Sequence, residues 1–195
     1  MIVYLHGFRS SPQSFKARLI GERMRALGRA DEYRCPQLSE RPATAMEQSV
    51  ALVRNVAPDQ LTLIGSSLGG FYATFLAEKL GCRAVMLNPA MRAHEKLGRH
   101  VGTQTAYHDA CTRFEFLAEY LDELRTMHIE SITRPGRYFV LAATGDELLD
   151  WREMVGHFRA ARHKVIQGSD HGMADFADHM DEVLEFSGIS PTRPT

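Results

Sequence analysis

Cysteine is scarce in this chain: Cys35, Cys82 and Cys111 form an odd, widely spaced set with no Cys-x-x-Cys pair, which argues against a disulfide framework and against a cysteine zinc site. Charge of one sign is also missing. With a formal net charge of -1, nothing marks nucleic acid or an anionic membrane as a partner. No apolar run approaches the roughly 20 residues needed to cross a bilayer, so no membrane span is expected. Met1-Ile2-Val3-Tyr4-Leu5 runs directly into His6-Gly7, leaving no room for a charged region, an apolar stretch and a cleavage site, so a cytoplasmic protein is expected. Apolar content of 44% and charged content of 24% exclude collagen-like, coiled-coil and disordered classes. At 195 residues, one domain is expected.

What the chain does have is a glycine-framed serine. Leu61-Thr62-Leu63-Ile64 is an apolar run of strand length, Gly65-Ser66-Ser67-Leu68-Gly69 follows, and Phe71 to Ala77 reads as helix. A strand that enters a helix through one residue holds that residue in a strained conformation with its side chain above the sheet. Ser67 is that residue. Gly65 and Gly69 remove the β-carbons that would clash two positions away; Ser66 is excluded because its own plus-two neighbour is Leu68. A phosphate-binding loop is the rival reading, and the missing Gly-Lys-Ser/Thr ending argues against it.

The surrounding pattern alternates. Ile2 to Leu5 reads as a strand, followed by a helix capped at Ser11, starting at Pro12 and stopping at Gly28, with Phe15, Leu19 and Leu27 on one side. A short strand starts near Glu32 and ends over Cys35 to Leu38. A Thr44-x-x-Glu47 capping box opens a helix that Pro58 terminates, and the strand Gln60 to Ile64 leads to the serine. The next helix stops at Gly81, and Ala84 to Leu87 is a strand closed by Asn88-Pro89. Such alternation predicts an α/β fold: a mostly parallel sheet with helices on both faces.

Residues from about 90 to 135 break the rhythm. One helix is expected there, Thr112 to Met127, with Phe114, Leu117, Leu121 and Leu124 on one face; the excursion is expected to wall the site, either as a small cap or, the favoured reading, with the helix as a crossover on the sheet and Met91 to Cys111 left near the mouth. That polar lead-in predicts a shallow pocket suited to short acyl chains. Strands over Arg137 to Ala143 and His163 to Ile166 follow, then a helix carrying Phe176, Met180, Val183 and Leu184, and a frayed tail over Ser190 to Thr195.

A serine hydroxyl needs a base, and the base needs an orienting carboxylate. Asp146 follows the Tyr138 to Ala143 run and His171 follows Lys164 to Ile166, giving the chain order Ser, Asp, His at one edge of a parallel sheet. Glu147 and Asp150 lie close to Asp146, with Asp150 better placed as the N-cap of a helix at Trp151. His157 and His163 lack loop positions. His94, His100, His108, His128 and His179 read as exposed polar residues, and no histidine pair has metal-ligand spacing. The backbone N-H groups of Leu68 and Phe8 are the expected oxyanion donors, with Gly7 allowing close approach and His6 buttressing the loop.

Leu5-His6-Gly7-Phe8, Ser10-Ser11-Pro12, Pro36-Gln37-Leu38, Gly65 to Thr74, Asn88-Pro89-Ala90 with Arg92, Thr144-Gly145-Asp146-Glu147 and Asp170-His171 together resemble the bacterial YqiA/YcfP-type esterases, which are small α/β-hydrolases. The resemblance spans most of the chain. It departs at Arg9, at Gly172-Met173 and from about residue 93 to 134. It implies a minimal α/β-hydrolase acting on carboxylic esters, with acyl-CoA thioesters as a candidate extension, through Ser67, Asp146 and His171. No metal or organic cofactor is needed for that chemistry, and the partner is a small-molecule ester. The fold alone also admits a binding protein without turnover, which the intact Ser, Asp, His order makes the lesser reading.

Overall fold

The computed structural model of the chain describes residues 1–191; of the tail expected at Ser190 to Thr195, residues 192–195 lie outside the described residues. Six parallel strands form the main sheet in the order β2-β1-β3-β4-β7-β8, with β1 at Ile2–Leu5, β2 at Tyr33–Arg34, β3 at Thr62–Ser66, β4 at Arg83–Leu87, β7 at Tyr138–Ala143 and β8 at Arg162–Ile166. β5 at Gly102–Thr105 and β6 at Arg113–Phe116 form a separate antiparallel hairpin. The central strands are buried on both faces, as near-continuous apolar runs require.

Alternation along each strand divides the core in two. Val3, Leu5, Leu63, Ala84, Met86 and Val140 face one side, where α2 (Pro42–Val53), α3 (Leu68–Leu80) and α6 (Trp151–His157) pack through residues such as Met46, Leu76 and Met154. Ile2, Tyr4, Ile64, Val85, Phe139 and Leu141 face the other, against α1 (Phe15–Ala26) and α7 (Met180–Phe186) through Ile20, Met24, Val183 and Leu184. The strand order reverses direction between β1 and β3, and the crevice beyond their carboxyl ends is where an open parallel sheet leaves room for a ligand. No helix among the described residues is long and apolar enough to cross a membrane.

Several local expectations shift. α1 starts at Phe15 with Ser14 as N-cap, because Ser11 instead closes its own turn by accepting from Gln13 N-H at 3.2 Å. Its buried stripe is Lys16, Ala17, Ile20 and Met24, while Phe15 is exposed. β2 is only two residues long, and Cys35 to Leu38 is irregular chain. α2 opens at Arg41-Pro42, using proline at the first helical position, so the Thr44 capping box does not form. The largest departure is the helix expected over Thr112 to Met127. Its first half is β6, because Arg113-Phe114-Glu115-Phe116 alternates with period two, and only Glu119–Thr126 (α5) is helical. α5 packs on α4 (Ala93–Lys96) and α2 and is not laid flat on the sheet.

Candidate active site

Ser67 occupies the single residue between β3 and α3 at φ 55°, ψ -119°, a conformation that costs a non-glycine residue about 1–3 kcal/mol. Its surroundings over-determine it. Its N-H donates to Leu87 O at 3.1 Å, and its carbonyl accepts from the N-H groups of Gly70, Phe71 and Ala90 at 2.9, 3.3 and 3.0 Å. The two glycines are sterically obligatory. A β-carbon on Gly65 would lie 2.1 Å from Gly69 O, and one on Gly69 would lie 1.9 Å from Leu5 O. Gly70, which the pattern of the turn does not single out, is also closely packed, though less so: a β-carbon there meets Pro89 at 2.7 Å.

The first loop comes down beside this serine. A β-carbon on Gly7 would touch Ser67 Cβ at 3.3 Å and sit 3.9 Å from its Oγ, so any larger residue would press on the hydroxyl. Among the described residues, the N-H groups of Phe8 and Leu68 make no hydrogen bond within the protein, leaving both donors free. His6 is buried, with Nδ1 donating to Gly7 O at 3.0 Å and Nε2 accepting from Leu38 N-H at 3.1 Å. Burial holds its pKa below the usual histidine value, so it is a neutral strut between the first loop and the chain after β2.

Asp146 and His171 meet as their places at the ends of β7 and β8 require. His171 Nδ1 lies 2.7 Å from Asp146 Oδ2, and the aspartate side chain has no exposed surface. Its other oxygen accepts from the N-H groups of Leu148 and Leu149, both at 2.9 Å. Both carboxylate oxygens are thus occupied by donors, which fixes the orientation of the group toward His171. The neighbouring acids have other work. Asp150 caps α6 through Arg152 N-H at 2.9 Å, and Glu147 accepts from the backbone N-H of His171 at 3.0 Å. Asn88, at φ 45°, donates from Nδ2 to the carbonyls of Asp170 (3.1 Å) and His171 (3.2 Å) and accepts from Ala143 N-H at 2.8 Å. It ties the end of β4 to the two loops that carry Asp146 and His171. Nothing in the sequence pattern assigns it that role beyond its place after a strand.

Ser67 and His171 line one cavity of about 350 Å³, with Gly7, Phe8, Leu68, Leu97, Leu148 and Leu149 among its walls. The segment after β4 contributes Ala90, Ala93, Lys96, Leu97, Arg99, His100 and Tyr107. It is bound to the first loop as well. Phe8 packs edge-on against Phe114 and Phe116 of the hairpin, at 5.9 and 5.1 Å between ring centroids. Arg9 Nε donates to Thr105 O at 2.5 Å, its guanidinium stacks 4.3 Å over Tyr107, and Tyr107 N-H donates to Arg9 O at 2.8 Å. His100 is half-buried at the cavity and not a simple surface group.

This fold is shared with α/β-hydrolases of known structure. A putative hydrolase from Agrobacterium vitis S4 superposes with a TM-score of 0.70 at 16% identity, covering 95% of this chain and 87% of that one. Alpha/beta hydrolase domain-containing protein 10 from mouse gives 0.68 at 16%, covering 94% and 89%. A monoacylglycerol lipase from Paleococcus ferrophilus gives 0.64 at 14%, covering 96% and 93%. The chain therefore has the α/β-hydrolase fold. Within that class it belongs to the uncharacterised protein family UPF0227, the YqiA/YcfP family, whose model matches residues 1–188.

Proposed function

We propose that this protein is a serine esterase acting through Ser67, His171 and Asp146. The reading rests above all on the strained conformation of Ser67 beside a cavity it shares with His171, whose far nitrogen is held by a buried aspartate. His171 Nε2 takes the proton of Ser67 Oγ as that oxygen bonds to the acyl carbon, and Asp146 stabilises the imidazolium from Nδ1. The N-H groups of Phe8 and Leu68 receive the oxyanion, a contribution of roughly 3–4 kcal/mol for one such donor. His171 then protonates the leaving alkoxide, or the thiolate of a thioester, as the carbon–oxygen or carbon–sulfur bond breaks. Water, deprotonated by the same nitrogen, releases the acid and restores Ser67.

The segment from about 90 to 135 walls this site within a single α/β-hydrolase domain, and the limited volume of the cavity favours short acyl chains. The three cysteines are all free thiols, in keeping with a reducing, cytoplasmic setting. A fluorophosphonate reagent tests the chemistry directly. Stoichiometric labelling at Ser67, abolished by Ser67→Ala, is expected; folded protein that stays unlabelled and hydrolyses no p-nitrophenyl ester would be a binding protein that retains the fold without turnover.

A further inference from the structure

The charged side chains on the cavity wall are all cations. Lys16, Lys96 and Arg99 line it, no aspartate or glutamate does, and Asp146 sits behind His171 with its side chain fully covered. Lys96 is engaged with Glu153 at 3.8 Å, while Lys16 and Arg99 have no ion-pair partner among the described residues. Lys16 is the unusual one. It is 8% exposed, yet its Nζ makes one hydrogen bond, to the carbonyl of Gly172 at 2.5 Å, directly after His171. An ammonium has three donors, so two remain, and a buried cation with no countercharge at contact is a costly arrangement that an anion would relieve.

The backbone adds to this corner. Ser14, Phe15 and Lys16 bring the first turn of α1 to the cavity, and the N-H groups of Phe15, Lys16 and Ala17 have no partner among the described residues. No acidic side chain occupies that turn, and the covered Ser14 hydroxyl interacts with the Tyr4 phenol at the cavity wall. A helix start and a buried ammonium with two donors to spare converge, beside the Ser14 hydroxyl, one residue from His171.

We propose that this corner recognises a negatively charged group carried by the substrate, so that the preferred substrates are anionic esters such as half-esters of short dicarboxylic acids or esters bearing a phosphate. The inference rests on the hydrolase reading and narrows its substrate class. Burial lowers the Lys16 pKa to about 8, against the opposing charges of Asp170 and Asp146, so the ammonium persists at neutral pH and anion recognition fades as pH rises past that value.

Calorimetric titration of the full chain carrying Ser67→Ala tests this without turnover. Monomethyl glutarate should bind at least about 10-fold tighter than neutral dimethyl glutarate, and Lys16→Met should erase that difference. Glycerol 3-phosphate in a parallel titration distinguishes a phosphate preference from a carboxylate one. Ser14→Ala, which leaves the lysine and its bond to Gly172 in place, should weaken anion binding by about 3-fold or more, and decides the matter if Lys16→Met does not fold. Equal affinity for charged and neutral ligands, or anion binding indifferent to the variant that folds, overturns the proposal. Because binding is read separately, a failure of Ser67 to react with fluorophosphonate counts against the esterase reading alone.

Discussion

The side-chain amide of Asn88 donates to the carbonyl oxygen of His171 at 3.2 Å while its own oxygen accepts from Ala143 N-H, so one buried residue spans the ends of β4 and β7 and the histidine loop. Asn88→Ala strands a buried N-H and two carbonyls, each costing about 1–3 kcal/mol. A fall in kcat of about 10- to 100-fold is expected with KM little changed, since the effect acts through His171 placement and not through substrate contact. Asn88→Ala kinetics alongside thermal unfolding check this; a purely structural role would lower the unfolding temperature and leave kcat per folded molecule intact.

The proposed triad makes a sharper forecast. Ser67→Ala or His171→Ala should each reduce kcat on the order of 10⁶-fold, and Asp146→Asn about 10⁴-fold, because the amide favours the wrong imidazole tautomer. Asp150→Asn should leave kcat near wild type, because Asp150 caps α6 and pairs with the exposed Arg152, and asparagine caps nearly as well. The reverse ranking of the two aspartate variants in steady-state assays with p-nitrophenyl butyrate would reassign the acid.

Glycine substitutions separate obligatory from incidental positions. Gly69→Ala drives a methyl group to 1.9 Å from Leu5 O, backbone against backbone, and should cost about 3 kcal/mol or more or prevent folding. Gly156→Ala, on α6 with nothing within 4 Å of the new carbon, should be neutral or stabilise by up to about 1 kcal/mol. Denaturant midpoints of the two variants give the comparison.

Much of this was legible in the chain. Strands bounded by clear turn residues, such as Ile2–Leu5 and Tyr138–Ala143, fall where the pattern puts them; Asp146 and His171 lie 2.7 Å apart, and a β-carbon at Gly65 or Gly69 would meet backbone. The sequence points to helix at the hairpin because Phe114, Leu117, Leu121 and Leu124 repeat at helical spacing even though Arg113 to Phe116 alternates. Tertiary contact with Phe8 decides in favour of the strand, and that partner lies about a hundred residues away. Lys16 escapes the sequence for the same kind of reason: a lysine on a helix is ordinarily solvated, and the carbonyl that takes its ammonium, on Gly172, lies 156 residues away.

Acid should destabilise the fold in a defined window. Burial lowers the pKa values of His6, His94, His100 and His157 below the ordinary 6.5; His94 also faces His128, Glu95, Arg92 and Arg125, and His157 faces His128. The unfolded chain therefore takes up protons first as pH falls, so the stability these neutral rings contribute is present above about 6.5 and lost below it. Glu78 and Glu182, in which hydrogen bonds and cationic partners outweigh burial to lower the pKa, add a further loss at more acid pH. Unfolding temperature should decline from pH 6.5 to 5, and less steeply in His157→Asn; a flat profile over that range would contradict the assignment.

The cavity takes one wall from Gly7 to Lys16 and another from His171 and Gly172, stretches more than 150 residues apart in the chain. During synthesis the strained serine turn and the first loop can dock long before β8 exists, but the floor near Lys16 stays open to water until the last crossover has folded back beside β7. A ribosome-bound fragment ending before β8 thus carries a reactive-looking serine and no enclosed site. Nascent chains of this protein should be chemically quiet toward cellular esters until translation has passed the final strand.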